Sequence, residues 1–266
     1  MTFGICLKMK WSQTVKAILD PDPLLLIDAD VPLYQACFSA EHDWQWTEEI
    51  HSLNADINVA EEVFERYIRS IVIEFPPVFT PILCFSGSDN FRTEIYPKYK
   101  SNRKDKRKPL LLDELRQLMM SKYLSIRHQN LEADDVLGLM SASGVMVSID
   151  KDLRTVPGLL YNPNKPEDGI LIIEEPEADY NHLYQTLVGD STDGYSGCPS
   201  IGPARASKIL DEDCSWDAVT FAYERKDLTA DYALTQAHMA RILRPGEYNF
   251  AQRKPILWQP PNLHEI

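Results

Sequence analysis

Three short apolar runs in this chain each lead into a carboxylate, and no other feature limits its possible folds as strongly. Leu24 to Ile27 runs into Asp28, Ile82 to Phe85 is followed by Ser86-Gly87-Ser88-Asp89, and Val145 to Ile149 runs into Asp150. Short apolar runs bounded by turn residues predict buried strands of a parallel sheet. Between them Ile57, Ala60, Phe64, Tyr67, Ile68, Ile71 and Phe75 recur at helical spacing until Pro76 and Pro77. Leu111 to Tyr123 and Ala133 to Met140 predict further helices. Strands alternating with helices predict an α/β fold with a mostly parallel sheet flanked by helices. Ligands of such sheets bind beyond the carboxyl ends of the strands, so three strand ends bring acids to one edge.

From Asp179 the pattern changes to short helices, at 180–188, 204–210, 216–223 and 232–243. A boundary near residue 178 therefore separates an α/β unit, 1–178, from a helical region, 179–266. With 266 residues, 44% of them hydrophobic, the chain can bury a substantial core. Its five cysteines contain no C-x-x-C pair and its six histidines no zinc-ligand spacing, which points to a reducing compartment without structural zinc. The first 20 residues lack a signal-peptide core, and no apolar run approaches a membrane span. The expectation is a soluble, cytoplasmic protein with no membrane partner.

The net charge of −13 disfavours nucleic-acid binding at first sight, because phosphate affinity comes mainly from Lys and Arg. The charge is uneven, however. Arg92 to Lys108 holds eight basic residues against two acidic ones, a net of +6 that leaves −19 on the rest. An acidic body with one basic stretch suggests a local polyanion contact, and acidic groups elsewhere that serve cations. A solvated loop is the plainer reading of the same charges.

The acids gather at element ends. Glu132-Ala133-Asp134-Asp135 opens a helix, where acids also serve as ordinary caps, and Asp135 suits a supporting or capping role. Asp150-Lys151-Asp152 follows a strand, and Asp190 and Asp193 lie in Gly189-Asp190-Ser191-Thr192-Asp193-Gly194 after a helix. Brought together without cations, such carboxylates repel and raise one another's pKa. All-oxygen ligands point to Mg²⁺, with Mn²⁺ as a substitute, rather than zinc. Two ions about 3.5 to 4 Å apart stabilise both oxygens of an in-line displacement at phosphorus.

Tyr96-Pro97-Lys98-Tyr99-Lys100-Ser101-Asn102-Arg103 adds positive charge. Lys100 and Arg103, three apart on a helical face, suit a clamp on a scissile phosphate. Tyr99 suits either stacking on an unpaired base or ordinary packing. Further on, the two glycines of Gly197-Cys198-Pro199-Ser200-Ile201-Gly202 lead into a helix with Pro203 in its first turn. Backbone amides there, helped by Arg205 and Lys208, suit a phosphate.

In order along the chain, LLLIDAD, FSGSDNFR, YPKYKSNR, LEADDVLG, VSIDKDL and TLVGDSTDGYSGCPSIGPARASKIL resemble the flap endonuclease and 5′-nuclease family. Within it the likeness is nearest to the 5′-to-3′ exonucleases of T-seven-like podophages, supported by SAEHDWQWTEEI and MARILRPGEYNF. The resemblance implies a PIN-like 5′-nuclease core, a helical arch at about 92–125 and a C-terminal helix-three-turn-helix region. Asp28, Asp89, Glu132 and Asp134 match the family's first metal site. Asp150, Asp152 and Asp193 match the second, with Asp190 and Asp135 in support. Tyr99, Lys100 and Arg103 match catalytic positions at the foot of the arch, where the family contacts the scissile region. Arg92, Lys104, Lys106, Arg107 and Lys108, with Gly197, Gly202, Ala204, Arg205 and Lys208, match DNA-binding positions. A potassium ion sits at the helix-three-turn-helix of some members. Asp30 has no counterpart acid in many members. The implied activity is metal-dependent 5′-to-3′ hydrolysis of duplex DNA at 5′ ends, flaps or nicks by a monomer. Flap endonuclease and RNase H-like action on RNA–DNA hybrids accompany it, in phage replication, recombination and host DNA degradation within an infected cell.

Two other classes fit parts of the pattern. A haloacid dehalogenase-type phosphatase would use Asp28 as nucleophile and Asp30 as general acid. A non-catalytic DNA-binding module would account for the basic stretch and the glycine turn, but not for the converging acids.

Overall fold

A computed structural model describes residues 22–103 and 106–261. The three acid-tipped runs form adjacent strands, β1 (Leu24–Asp28), β4 (Thr80–Phe85) and β6 (Gly144–Val147), with β1 hydrogen-bonded between the other two. A polar hairpin not anticipated from the sequence, β2 (Glu41–Gln45) and β3 (His51–Ala55), stands apart as its own two-stranded sheet. The main sheet has six strands in the order β5-β4-β1-β6-β7-β8, completed by β5 (Ser125–Arg127), β7 (Gly158–Tyr161) and β8 (Ile170–Ile173). All pairs are parallel except β7 with β8, so the sheet is mostly parallel, as expected.

Successive β1 side chains point to opposite faces and build two separate cores. Leu25 and Ile27 pack with Leu33, Phe64, Ile68 and Leu115 of α1 (Asp30–Ser39), α2 (Ile57–Val72) and α4 (Leu112–Lys122). Leu26 packs on the opposite face with Val136 and Leu137 of α5 (Ala133–Leu139) and with Ile242 and Leu243. Asp56 caps α2 by accepting from the Asn58 amide, and the apolar stripe read from the sequence is its buried face.

The basic stretch departs from the expected helical arch. It contains a four-residue helix, α3 (Arg92–Ile95), a 3₁₀ turn at Ser101–Arg103, and no further described helix before α4. Pro97 forces Tyr96 into an extended conformation. Lys100 then takes φ 51°, Pro109 lacks an amide donor, and the clustered positive charges add repulsion. Lys100 is therefore off any helix, and Lys104 lies outside the described residues.

The C-terminal helices α6 (Glu175–Val188), α7 (Pro203–Glu212), α8 (Trp216–Glu224) and α9 (Ala230–Ala240) share a core of Leu187, Leu210, Val219, Tyr223 and Ala233. Helix α6 runs through residue 178, so the boundary drawn there falls inside a helix. Past α9 the chain returns to the sheet.

That return is fixed by a buried ion pair. Arg92 donates to both carboxylate oxygens of Asp135, at 2.8 and 2.7 Å, and to the Arg241 carbonyl at 2.5 Å. Asp135 also accepts from the Glu132 and Leu243 amides and is 0% exposed. Arg92 is thus a structural residue, not the DNA contact expected of it. Arg92→Ala strands a buried carboxylate and should cost roughly 3 to 5 kcal/mol, whereas Arg92→Met with Asp135→Leu should cost much less. Urea unfolding of the two variants measures the difference.

Candidate active site

The site begins where β1 ends. Asp28 is 8% exposed. One of its carboxylate oxygens accepts from the Asp30 amide at 3.2 Å and the other from the Ser148 hydroxyl at 2.9 Å. Asp150 follows β6 and accepts from the Asp152 amide at 2.8 Å, which sets Asp152 in a short 3₁₀ turn. Gln185 of α6 donates to Asp152 at 2.7 Å. Glu132 and Asp134 stand at the start of α5. In the loop after α6, Asp190 accepts from the amides of Thr192 and Asp193, a tight turn that aims Asp193 inward. These seven carboxylates, with Asp30, line one open cleft of about 980 Å³.

Asp89 is not among them. It is exposed beyond the turn after β4, and its carboxylate accepts from the Ser88 hydroxyl and the Gln129 side chain. The Gly87 and Asp89 amides both bond to the segment 129–131, which turns the loop away from the cleft. Counting residues past a strand end does not reveal that turn.

Burial of this much acid has a clear electrostatic signature. Burial, reinforced by Asp30, raises Asp28 from 3.8 to about 7. Burial and the nearby Asp28 and Asp150 raise Asp134 well above the carboxylate range. Burial raises Asp152, with Asp150 adding to it, and raises Asp193 as well. Glu132 is the exception: burial pushes it up, but Lys100 and Arg92 outweigh burial and hold it at about 2.

Lys100 makes that exception. Its ammonium bonds Glu132 and stands 3.5 Å from Asp193, while its backbone amide donates to the Asp193 carbonyl at 2.7 Å. Arg103 bonds the other Asp193 oxygen at 2.8 Å. Both cations therefore reach the acids from a loop and a 3₁₀ turn rather than from one helical face. Tyr99 is buried, its hydroxyl 2.8 Å from Glu132 and 3.1 Å from Asp193, donating to one at a time. It packs and positions, and its ring is not available for base stacking.

The rim of the cleft is basic, lined by the exposed Arg103, Lys106, Lys108 and Arg127, while Arg116 lies buried and paired with Asp113. Arg107 lines it too, but it forms two hydrogen bonds with Glu41 of the hairpin, at 2.8 and 2.6 Å, and packs on the Phe38 ring. A second groove between α7 and α8 mixes charges, with Arg205, Lys208, Arg225 and Lys226 beside Glu212, Asp213 and Asp217. Gly202 and Ala204 are exposed beside it. Gly197 instead is buried, with φ 63° and its amide bonded to Gln236, so that amide is committed within the fold. Ser148, Gln185, Arg225 and Lys226 were not read from the sequence. Ser148 and Gln185 act only through an acid that another segment supplies, which no local pattern reveals.

An oxygen-only set of crowded, proton-retaining carboxylates suits a hard divalent cation. Among the described residues, no three His, Cys, Asp or Glu side chains are already arranged around a point that would hold one, and Lys100 now neutralises Glu132 and Asp193. The four described cysteines are free, and no described helix is long and apolar enough to cross a membrane.

Comparison with known proteins agrees with this geometry. Residues 23–157 match the family model described as 5′-3′ exonuclease, N-terminal resolvase-like domain. The chain is 30% identical to the exodeoxyribonuclease of Enterobacteria phage T3, over 91% of this chain and 94% of that protein. It is also 30% identical to the exonuclease of Escherichia phage T7, over 91% and 95%. Its fold matches that of T5 5′-exonuclease with bound zinc, at a TM-score of 0.58 and 15% identity, over 82% of this chain and 88% of that one.

The site also predicts how the metal-free protein responds to pH. Asp28 binds its proton more tightly folded, near 7, than unfolded, near 3.8. The folded state therefore holds more protons between those values, and this group's contribution to stability falls as pH rises through the window. Buried His182 and His238, whose pKa values burial lowers, act in the opposite direction over the same window, so the Asp28 contribution is read as a difference between variants. In EDTA, Asp28→Asn should gain melting temperature relative to wild type as pH rises from about 4 to 7, and a difference that does not change with pH would contradict it.

Proposed function

The chain belongs to the 5′-3′ exonuclease family, a nuclease acting on phosphodiester bonds, and on that footing we propose that it degrades duplex DNA from 5′ ends. Family membership sets aside the phosphatase and the non-catalytic module. The observation that carries the proposal is the carboxylate-lined cleft under a basic rim. In this reading 5′ termini, nicks and flaps of phage DNA enter under the rim while duplex lies along Arg205 and Lys208. RNA–DNA hybrids are accepted as well. The enzyme acts as a monomer in phage replication, recombination and host DNA breakdown, and K⁺ binds at the turn before α7.

Asp28, Glu132, Asp134, Asp150, Asp152 and Asp193 are the residues that would hold two Mg²⁺ ions, or Mn²⁺, with Asp190 bracing Asp193. Ions bound there would supply Lewis-acid charge at the phosphate and a more acidic water. The chain's own groups do the rest. Lys100 exchanges Glu132 and Asp193 for the scissile phosphate and stabilises the charge developing on its oxygens. Arg103 grips the same phosphate. Tyr99, a hydroxyl that burial keeps protonated, holds Glu132 and Asp193 in register.

Duplexes labelled at either the 5′ or the 3′ end, digested with Mg²⁺, decide polarity. The 5′ label should be released first and Asp152→Asn should release none, whereas early loss of the 3′ label would overturn the reading. Lys100→Ala should slow single-turnover cleavage by roughly 10² to 10³ with a small change in DNA affinity. Because Arg107 is tied to Glu41, neutralising Lys104, Lys106 and Lys108 should account for the stretch's DNA contacts. Their loss should flatten the salt dependence of binding by about 3 units, and an unchanged slope would make the stretch a solvated loop.

A further inference from the structure

Three strand ends meet at the cleft, yet β4 sends no acid into it. Ser86 stands at its end, its hydroxyl accepting from the Ala133 amide at 3.0 Å. At Gly87 a Cβ would meet the carbonyl oxygens of His128 and Gln129 at 2.1 Å, so no side chain fits there. Asp89 has turned away to Gln129.

An acid comes instead from the start of α1, just beyond the neighbouring strand. Asp30, two residues past the end of β1, reaches toward β4, and its Oδ2 accepts from the Ser86 amide at 3.1 Å. Its Oδ1 is shielded from solvent and has no hydrogen-bond partner. The residue lines the cleft with Asp28, Glu132 and Asp134 and lies within electrostatic reach of both Arg116 and Glu132. A buried carboxylate oxygen without a donor is costly, and such an oxygen beside other acids in an open cleft is suited to a cation.

We infer that Asp30 supplies the carboxylate that β4 lacks, and that it binds the divalent ion shared with Asp28, Glu132 and Asp134. This rests on the metal reading of the cleft proposed above. A purely structural role, bracing the Ser86 amide, is a weaker account, because it uses Oδ2 alone and gives Oδ1 no purpose.

Asp30→Asn separates the two accounts, since the amide oxygen can still accept from Ser86 while the charge is gone. The readout is Mn²⁺ binding, followed by loss of the free-ion electron paramagnetic resonance signal, together with melting temperature in EDTA and in excess Mn²⁺. Wild type should bind Mn²⁺ and melt higher with it. Asp30→Asn should melt no lower than wild type in EDTA but bind Mn²⁺ at least about tenfold more weakly and gain less from it. Adding Ser86→Asp to that variant, which returns an acid to β4, should restore affinity. Equal Mn²⁺ affinity in wild type and Asp30→Asn would overturn the inference alone. Wild type that binds no Mn²⁺ would overturn the metal reading and this inference with it.

Discussion

A guanidinium shut away from water joins parts of this chain that are far apart in sequence. Arg92, just past β4, holds Asp135 in the first turn of α5 and the Arg241 carbonyl beyond α9. Such a pair adds little net stability over an apolar contact, but separating it is expensive, so the three segments move together or not at all. The active site depends on that rigidity. The Asp135 side chain fixes the Glu132 amide, and the guanidinium lies 3.6 Å from the Glu132 carboxylate. The ring of Tyr99 lies within reach of the same guanidinium. A structural pair at the back of the cleft thus determines where the acids at its front stand.

Those acids oppose one another. Most of the carboxylates in the cleft hold their protons more tightly than a free side chain, and Glu132 escapes only because Lys100 and Arg92 are close. Lys100 serves as an internal counterion to Glu132 and Asp193. In the proposed reaction the same ammonium turns to the phosphate, so one side chain would link the resting charge balance of the site to the arrival of its substrate.

The sheet was legible because its central strands are apolar on both faces and end abruptly in acid. The hairpin at 41–55 was not, because its strands bury almost nothing and leave Trp44 and Trp46 on the surface, so no buried face imprinted an apolar alternation. Asp28 could be placed because it is the last residue of its strand, and Asp150 and Asp152 because the turn after β6 is closed locally, by the Ser148 hydroxyl and then by Asp150 itself. Asp89 could not, since the turn that diverts it is set by backbone bonds to 129–131. The cationic residues were the least legible. Arg92 and Arg107 count equally in a charge sum, but Asp135 buries one and Glu41 ties down the other. Pairing across 43 or 66 residues leaves no local trace.

The protons on Asp28 and Asp134 have one further consequence. An ion entering beside them must displace whatever protons they carry near neutrality, so ion uptake and proton release form a single equilibrium. Apparent affinity for the ion then climbs with pH, and the heat of loading depends on the ionisation enthalpy of the buffer that collects the protons. Where magnesium and pH vary together, such a cleft registers the two as one composite signal.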